Sequence, residues 1–544
     1  MKKVFKIFSL FAATALLSTS CIEETFPESG SATSEQVGAS SSALEAALNG
    51  IPSQMAQGYY VYGDQVHETD MAYPLFMIAQ TEMLGDMYPL GSNSGYDWYR
   101  NYNTCNASFG ENSYFAYLPW FTLYRFIKAA NDVIAAVDFE NATGDIKGLA
   151  SVAYACRAFD YYMLMVLFEP LENGYTDISS VKGLTVPIVT EATTGDEAKN
   201  NPRVSRAELI EFILSDLDKA EEGLADYTPS SKNFPDLAVV YGLKAKVYLW
   251  DEQYDKAAEY AGKAIATATA NNAVPMTKGQ LTDVKTGFNT ATPGWMWYIH
   301  YSAETMGNLC NFTGWMSGEA DWGYSSLTLP GIDRSLYDKM SDTDYRKPQF
   351  LDPLKYGYYD YQTVRDQAYI ENAPAYLSLK FRCVNGDWET YSVGAACDVP
   401  VMRIEEMYLI EAEAVGASQG VGAGVEKLNS FMKSYRDPSY NYTASDLRSF
   451  QLEVLDQMRI EFWGEGNAFP SAKRLRPAIY QNYAGTNAPE EIFKINFPQG
   501  KPNWNLCIPI SEINANPALE GNNNPDPTGR FIAPAKEGEF CAKN

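Results

Sequence analysis

The chain has 544 residues, enough for two or three domain-sized cores or for one large assembly of repeats. Its 68 acidic and 42 basic side chains give a net charge of −26, which argues against binding to nucleic-acid phosphates or to an anionic membrane surface. Aromatic residues make up 14% of the chain, with 38 Tyr and 10 Trp, so aromatic side chains in loops need an explanation beyond core packing.

The first 20 residues have the pattern of a signal peptide. Lys2, Lys3 and Lys6 give a basic start, and the largely apolar run 4–17 is too short to span a bilayer and is followed by small residues. The letters LSTSC, which end at Cys21, are similar to a bacterial lipobox, whose cysteine is lipidated after cleavage. The alternative is an ordinary secretory signal with a chance cysteine. Loss of the leader takes the net charge from −26 to −29, because the leader has three lysines and no acid.

Residues 21–42 are polar and rich in Ser, Thr and Glu, which predicts a flexible tether behind the lipidated cysteine. Glu23 and Glu24 resemble an acidic signal that directs lipoproteins to the cell surface. They are also compatible with a simple solvated linker.

Helical pairs recur along the chain, most clearly in the stretch YGLKAKVYLWDEQYDKAAEYAGKAI, Tyr241–Ile265. A first helix is predicted to end near Trp250 and a second to begin at Tyr254 after a polar turn. Three alanines at helical spacing form a stripe of small residues in the second helix: Ala257, Ala261 and Ala264. Large aromatics beside such alanines are typical of tetratricopeptide repeats.

Other segments fit the same scheme and bring the number of helix pairs to about four. Ser205 and Glu208 form a capping box at the start of one helix. The remaining predicted helices are Trp120–Asp138, Gly148–Phe168, Ser205–Leu224, Leu237–Trp250, Val401–Ala417, and two C-terminal helices, VEKLNSFMKSYR and SDLRSFQLEVLDQMRIEFWGE. The repeats are therefore predicted at about 115–270 and 401–465.

The segment of about 271–400 lacks helical periodicity and is rich in Gly, Pro, Asn, Tyr and Trp. It is predicted to be an insertion, with short strands at WMWYIHY and AYLSLKFRCV and with Trp295 and Trp297 in the core. Its aromatic content argues against disorder. A loop-rich tail is predicted for about 481–544. Seven further cysteines are expected to be buried free thiols, with a Cys383–Cys397 bridge as the alternative.

No catalytic or metal site stands out. The chain has two histidines and no H-E-x-x-H motif. Acid pairs such as Glu68 with Asp70, or Asp86 with Asp97, suit glycoside hydrolysis, but nothing selects them over solvated acids. We therefore predict no catalytic residue, no metal and no cofactor, and the hydrolase stays an alternative.

Two aromatic clusters have the composition of a sugar-binding surface, in which rings cover C–H faces and polar groups bond hydroxyls. They are GYDWYRNYN, 95–103, and NFTGWMSGEADWGY, 311–324. The candidate ligand residues are Trp98 and Asn101, followed by Asp97, Tyr96, Trp315 and Trp322. The alternative is that the tryptophans pack the insertion onto the helices.

Four segments together resemble the SusD family, also called SusD/RagB. They are LYDKMSDTDYRKPQF, VMRIEEMYLIEAEA, MRIEFWGEGNAFPSAKRLR and CIPISEINANPAL. From the residues, we interpret these motifs as structural: Arg459 and Glu461 as a buried pair that orients helices, and Pro509 and Pro517 as rigid points of a strand-like tail.

The resemblance implies a mainly α fold, with one domain over 43–544 that combines tetratricopeptide-like repeats with the insertion. It implies a lipoprotein on the extracellular face of the outer membrane, without enzymatic activity, that captures glycans for a SusC-like TonB-dependent transporter. The N-terminal loop and the insertion would bind the ligand, and the repeats would face the transporter. A peptide-binding or scaffold subunit of such a transporter is the alternative.

Overall fold

The computed structural model describes residues 37–58, 67, 69–91, 94–105, 109–306, 309–352 and 363–544. The predicted signal peptide, Cys21 with its predicted lipid, and most of the predicted tether lie outside these residues, as does Glu68.

The described chain is mainly helical, as predicted. The helices of its first half are α1 (Ser41–Leu48), α2 (Gly50–Ala56), α3 (Pro74–Leu84), α4 (Arg100–Thr104), α5 (Tyr114–Ile134), α6 (Gly144–Phe168), α7 (Gly195–Ala198), α8 (Arg206–Leu224), α9 (Leu237–Trp250) and α10 (Tyr254–Ala270). Those of its second half are α11 (Lys278–Thr282), α12 (Phe312–Met316), α13 (Ser325–Thr328), α14 (Arg334–Tyr337), α15 (Gln367–Asn372), α16 (Tyr391–Gly394), α17 (Ile404–Ser418), α18 (Val421–Tyr435), α19 (Leu447–Glu461), α20 (Phe469–Leu475) and α21 (Ile510–Ala515).

Short strands form four antiparallel pairs. The strands are β1 (Met87–Pro89), β2 (Trp295–His300), β3 (Pro330–Ile332), β4 (Asp398–Arg403), β5 (Ile479–Tyr480), β6 (Asn496–Phe497), β7 (Phe531–Ile532) and β8 (Ala542–Lys543). They pair as β1 with β3, β2 with β4, β5 with β6 and β7 with β8. Single 3₁₀ turns lie at Ser94–Tyr96, Lys347–Gln349, Val384–Gly386, Glu491–Phe493, Pro502–Trp504 and Pro517–Leu519.

The long helices stack in a row that follows the chain. Each packs on the next in the order α5, α6, α8, α9, α10, α17 and α18. Because α10 contacts α17 directly, the intervening residues leave the stack and return to it, as an insertion does. The buried core is continuous along this row and includes side chains from both ends of the described chain.

Local sequence signals determine where the central helices begin and end. Ser205 caps α8 and forms the predicted capping box with Glu208. α9 ends at Trp250 and α10 begins at Tyr254, as predicted. The alanine stripe of α10 is buried, which lets α9 and α17 approach closely.

Two predictions in the second half were wrong in detail. Val401–Arg403 belong to β4 and not to the following helix, because Arg403 is extended and pairs with Trp295 of β2. The stretch AYLSLKFRCV forms only two isolated bridges, Leu377 with Gly331 and Ser378 with Phe350. The strand at WMWYIHY is confirmed as β2, and Trp295 and Trp297 are buried as predicted.

A buried charge cluster joins the insertion, α17, α18 and α19. Glu461 accepts hydrogen bonds from Arg403 (3.0 Å) and Arg436 (2.6 and 2.8 Å), and Glu465 accepts from Arg403 and Lys380. The predicted Arg459–Glu461 pair is wrong. Two residues along α19 correspond to a rotation of about 200°, so the two side chains point to opposite sides of the helix, and Arg459 binds Asp86 and Asp456 instead.

The C-terminal segment is not strand-like around the two prolines. Pro509 precedes α21 and Pro517 starts a 3₁₀ turn, positions that suit proline because it lacks a backbone N–H to donate. Cys383 and Cys397 are free, buried thiols, and burial raises the pKa of each to about 12. Among the described helices, none has the length and apolar character needed to cross a bilayer.

Candidate functional site

The two predicted aromatic clusters meet in the folded chain. The 3₁₀ turn Ser94–Tyr96 contacts α13 of the insertion. The ring of Tyr96 lies 5.7 Å from that of Tyr324, and Tyr324 lies 5.0 Å from Trp315. Trp315 contacts Tyr99 edge to face at 5.2 Å, so the row of rings returns to the N-terminal segment. Segments that are more than 200 residues apart in sequence therefore form one aromatic surface.

Only part of this surface is exposed to solvent. Tyr96 and Trp98 are each 47% exposed, whereas Trp315 and Trp322 are 4% and 5% exposed. Exposed aromatic rings offer flat apolar faces on which a ligand can pack. Tyr96 and Trp98 are therefore the rings that a ligand can reach, while Trp315 supports Tyr324 and Tyr99, and Trp322 is buried next to Asn311.

The alternation of exposed and buried side chains fixes the orientation of the turn. Asp97 and Tyr99 point inward on either side of Trp98. An Asp97 carboxylate oxygen accepts a hydrogen bond from the Tyr99 N–H at 3.0 Å, and the Tyr99 hydroxyl donates to the Thr69 carbonyl at 3.0 Å. The inward side chains on either side thus hold Trp98 outward.

Asp97 is 6% exposed and lies close to a second buried carboxyl, Glu82. Burial raises the pKa of Asp97 to about 6, and burial together with Asp97 raises the pKa of Glu82 well above its ordinary value. The buried Lys501 ammonium opposes the shift at Glu82. Asp97 in this position supports the turn and does not present its carboxylate to solvent.

Asn101 and Arg100 hold the other end of the turn. The Asn101 side-chain amide donates to the Trp98 carbonyl at 3.2 Å, and Asn101 is half-buried. Arg100 forms an ion pair with Glu490 at 3.4 Å, which ties α4 to the C-terminal segment. The amide of Asn101 lies next to Trp98, and one of its two N–H groups bonds the Trp98 carbonyl.

The insertion side of the site is also internally bonded. The Asn311 side-chain oxygen accepts from the Gly314 N–H at 2.8 Å and from the Trp322 ring N–H at 3.4 Å. Tyr324, half-buried between Tyr96 and Trp315, is the ring that sequence reasoning missed. It is the last residue of the second predicted cluster, so composition included it but gave no reason to select it.

The acidic pairs considered from the sequence are engaged in other bonds. Asp70 accepts hydrogen bonds from the Tyr114 hydroxyl and from the His67 N–H at 2.7 Å. Asp86 pairs with Arg459. Within the described ranges, no group of three or more His, Cys, Asp or Glu is placed to hold a metal ion.

Comparison with known proteins places this architecture in a family. A model described as "Starch-binding associating with outer membrane", of the SusD-like type, matches residues 61–249, and the model of the SusD family matches residues 336–526. The chain belongs to the SusD family. The two matches cover both the helical repeats and the C-terminal motifs.

Individual relatives agree with this assignment. SusD-like protein P2 of Formosa agariphila is 25% identical over 452 residues, which are 77% of this chain and 82% of the relative. A SusD-like carbohydrate binding protein from Bacteroides vulgatus has a similar fold, with a TM-score of 0.69, 22% identity, and coverage of 89% of this chain and 98% of that chain. Surface glycan-binding protein A from Bacteroides thetaiotaomicron, in complex with laminarihexaose, has a TM-score of 0.61, 15% identity, and coverage of 89% and 99%. The tetratricopeptide-like SusD fold predicted from the sequence is confirmed.

Proposed function

We propose that this protein binds an oligosaccharide or polysaccharide at the cell surface, without cleaving it, and delivers it to a SusC-like TonB-dependent transporter in the outer membrane. The observation that carries this proposal is the pair of exposed rings, Tyr96 and Trp98, on a rigid support where the N-terminal turn meets the insertion. Flat rings in this setting suit the C–H faces of sugar units.

The site is suited to reversible capture. Stacking of a ring contributes about 0.5–1.5 kcal/mol beyond the burial of area, so two rings give a modest affinity that permits release. The support is preformed, because Asp97, Tyr99 and Asn101 hold the turn through hydrogen bonds. A preformed site loses little entropy when it binds.

The predicted lipid on Cys21 would anchor the protein to the outer membrane, and the stacked repeats would face the transporter. A relative that binds laminarihexaose makes β-glucans a reasonable first ligand class to test.

Affinity gel electrophoresis of residues 22–544 against a panel of polysaccharides that includes laminarin tests this proposal. We expect at least one glycan to retard the protein and Trp98→Ala to remove the retardation. Tyr391→Ala is the matched control, since Tyr391 is also an exposed ring of the insertion side, at 37% exposure. Retardation by no glycan would contradict the proposal and favour a peptide-binding or scaffold subunit. New reducing ends after incubation would instead indicate a hydrolase.

A further inference from the structure

A cavity lies along the helical repeats, away from the aromatic turn. Its volume is about 640 Å³, within the range of roughly 300–1,000 Å³ that is usual for small-molecule sites. It is open to solvent on one side and is bordered by α5, by the segment 187–201 and by α21 with the following 3₁₀ turn.

The lining combines aromatic rings with polar groups. One wall consists of Trp120, Phe121 and Tyr124 of α5, with Trp120 and Tyr124 4.8 Å apart. The opposite wall includes Glu512 and Asn516. Apolar faces that converge with a few fixed polar groups are the general composition of a site for a small polar ligand with C–H surfaces.

The walls are joined by hydrogen bonds at two places, so the cavity is preformed. The Tyr124 hydroxyl donates to the Pro187 carbonyl at 2.7 Å. Asn516 donates its side-chain amide to the Asn201 carbonyl at 2.6 Å and accepts from the Asn201 N–H at 3.0 Å. These bonds join the segment 187–201 to both helices that face it.

The charges at the cavity are close to balanced. Arg125, Lys128 and Lys199 stand against Asp132 and Glu512, and Lys128 pairs with Asp132 at 2.7 Å. Glu512 is half-buried on the wall, and burial raises the pKa of its carboxyl while a hydrogen bond with Trp120 opposes that shift. A lining with this balance favours a neutral ligand over a phosphate or a polycation.

We infer that this cavity is a second carbohydrate site, which takes a short neutral sugar on Phe121 and Tyr124 with Glu512 as a hydroxyl acceptor. The inference rests on the proposed function for its ligand class. The cavity and the aromatic turn share helix α5: Tyr114 at its start bonds Thr69 (2.7 Å), which also anchors Tyr99, and Phe121 lies roughly 10 Å further along the axis. Helix α5 thus lines the cavity and, through Thr69, also helps to hold the aromatic turn.

Saturation-transfer NMR and calorimetric titration with cellobiose, maltose, gentiobiose and lactose test the inference on residues 22–544. We expect at least one disaccharide to bind to wild type and to Trp98→Ala equally. Phe121→Ala should weaken this binding about fivefold to tenfold, the value of one lost stacking contact. Glu512→Gln, which preserves shape, should weaken it by about threefold or more through loss of a charged acceptor.

Tyr391→Ala and Glu426→Gln, at exposed positions elsewhere, are the matched controls and should not change the affinity. Thermal melts confirm that each variant is folded. The inference would be overturned if no disaccharide binds, or if only Trp98→Ala removes the binding. Either result leaves the polysaccharide test of the proposed function intact.

If no polysaccharide retards the protein but Phe121→Ala abolishes disaccharide binding, the result would instead support the cavity and contradict the aromatic turn as a binding site. The inference would also be overturned if Phe121→Ala leaves sugar binding unchanged but a co-expressed transporter retains this variant less well. The cavity would then be assigned to a protein contact.

Discussion

Charged side chains, mainly arginine and glutamate, are buried between α17 and α19, whereas two aromatic rings of the turn at 94–101 are about half exposed to solvent. In the first region, four cations face four anions in the absence of solvent: Arg346, Lys380, Arg403 and Arg436 against Asp344, Glu405, Glu461 and Glu465. In the second region, Tyr96 and Trp98 are exposed although both would be stabilised by burial. The buried charged side chains therefore stabilise the fold, whereas the exposed aromatic rings are accessible to a ligand.

The same contrast appears within the aromatic residues themselves. Trp98 lies in the turn that follows Gly95, and Trp315 lies beside Gly314 in the short helix α12, yet Trp98 is exposed and Trp315 is buried against Tyr324. Substitution of each should therefore affect a different property. Substitution of Trp315 or of a residue in the charge cluster should lower the free energy of unfolding. Substitution of Trp98 should instead lower the affinity for the ligand.

The largest loss of stability is expected for Glu461→Gln. Although burial alone would raise its pKa, Arg436 and Arg403 hold the pKa of Glu461 well below the ordinary value. Removal of this charge leaves buried guanidinium groups without compensation, which typically costs about 3–5 kcal/mol. Urea unfolding monitored by circular dichroism measures the difference.

Glu426→Gln is the matched control for that substitution, because Glu426 is exposed on α18. It should change the free energy of unfolding by less than about 0.5 kcal/mol. A similarly small effect of Glu461→Gln would contradict the structural role of the cluster.

A comparable loss is expected for Trp315→Ala, about 3 kcal/mol or more, because a buried ring leaves a cavity. The same unfolding assay applies. Glycan affinity should also fall, since Tyr324 and Tyr99 lose the ring that they contact. Unchanged stability would show that Trp315 is not part of the support.

A smaller, pH-dependent effect is expected for Asp97→Asn. Because burial raises the pKa of Asp97 to about 6, its stabilising contribution is complete below the unfolded pKa of 3.8 and is lost as pH rises through about 6. Asparagine keeps the acceptor for the Tyr99 N–H and does not ionise. The variant should gain on the order of 2 kcal/mol relative to wild type between pH 4 and pH 7, as measured by unfolding at both values. An equal difference at the two pH values would contradict the assignment.

Local signals predict much of the scaffold. The Ser205 capping box and the turn between Trp250 and Tyr254 lie within single segments, so the chain itself carries the information. Arg459 pairs with Asp86, and Glu461 pairs with Arg403. Because these partners are distant in sequence, no local pattern specifies them. For the same reason the sequence identifies both aromatic clusters but cannot tell which rings the fold buries.

The measurement that tests the central claim most directly is a paired one on Trp98→Ala: the free energy of unfolding by urea, and the affinity for the retarding glycan by calorimetric titration. Because the ring is half exposed and the turn is held by its neighbours, unfolding should change by less than about 0.5 kcal/mol. Affinity should fall about tenfold or more, equivalent to roughly 1.4 kcal/mol. Full affinity in a stable variant would contradict the account, because the aromatic turn would then not be the binding surface.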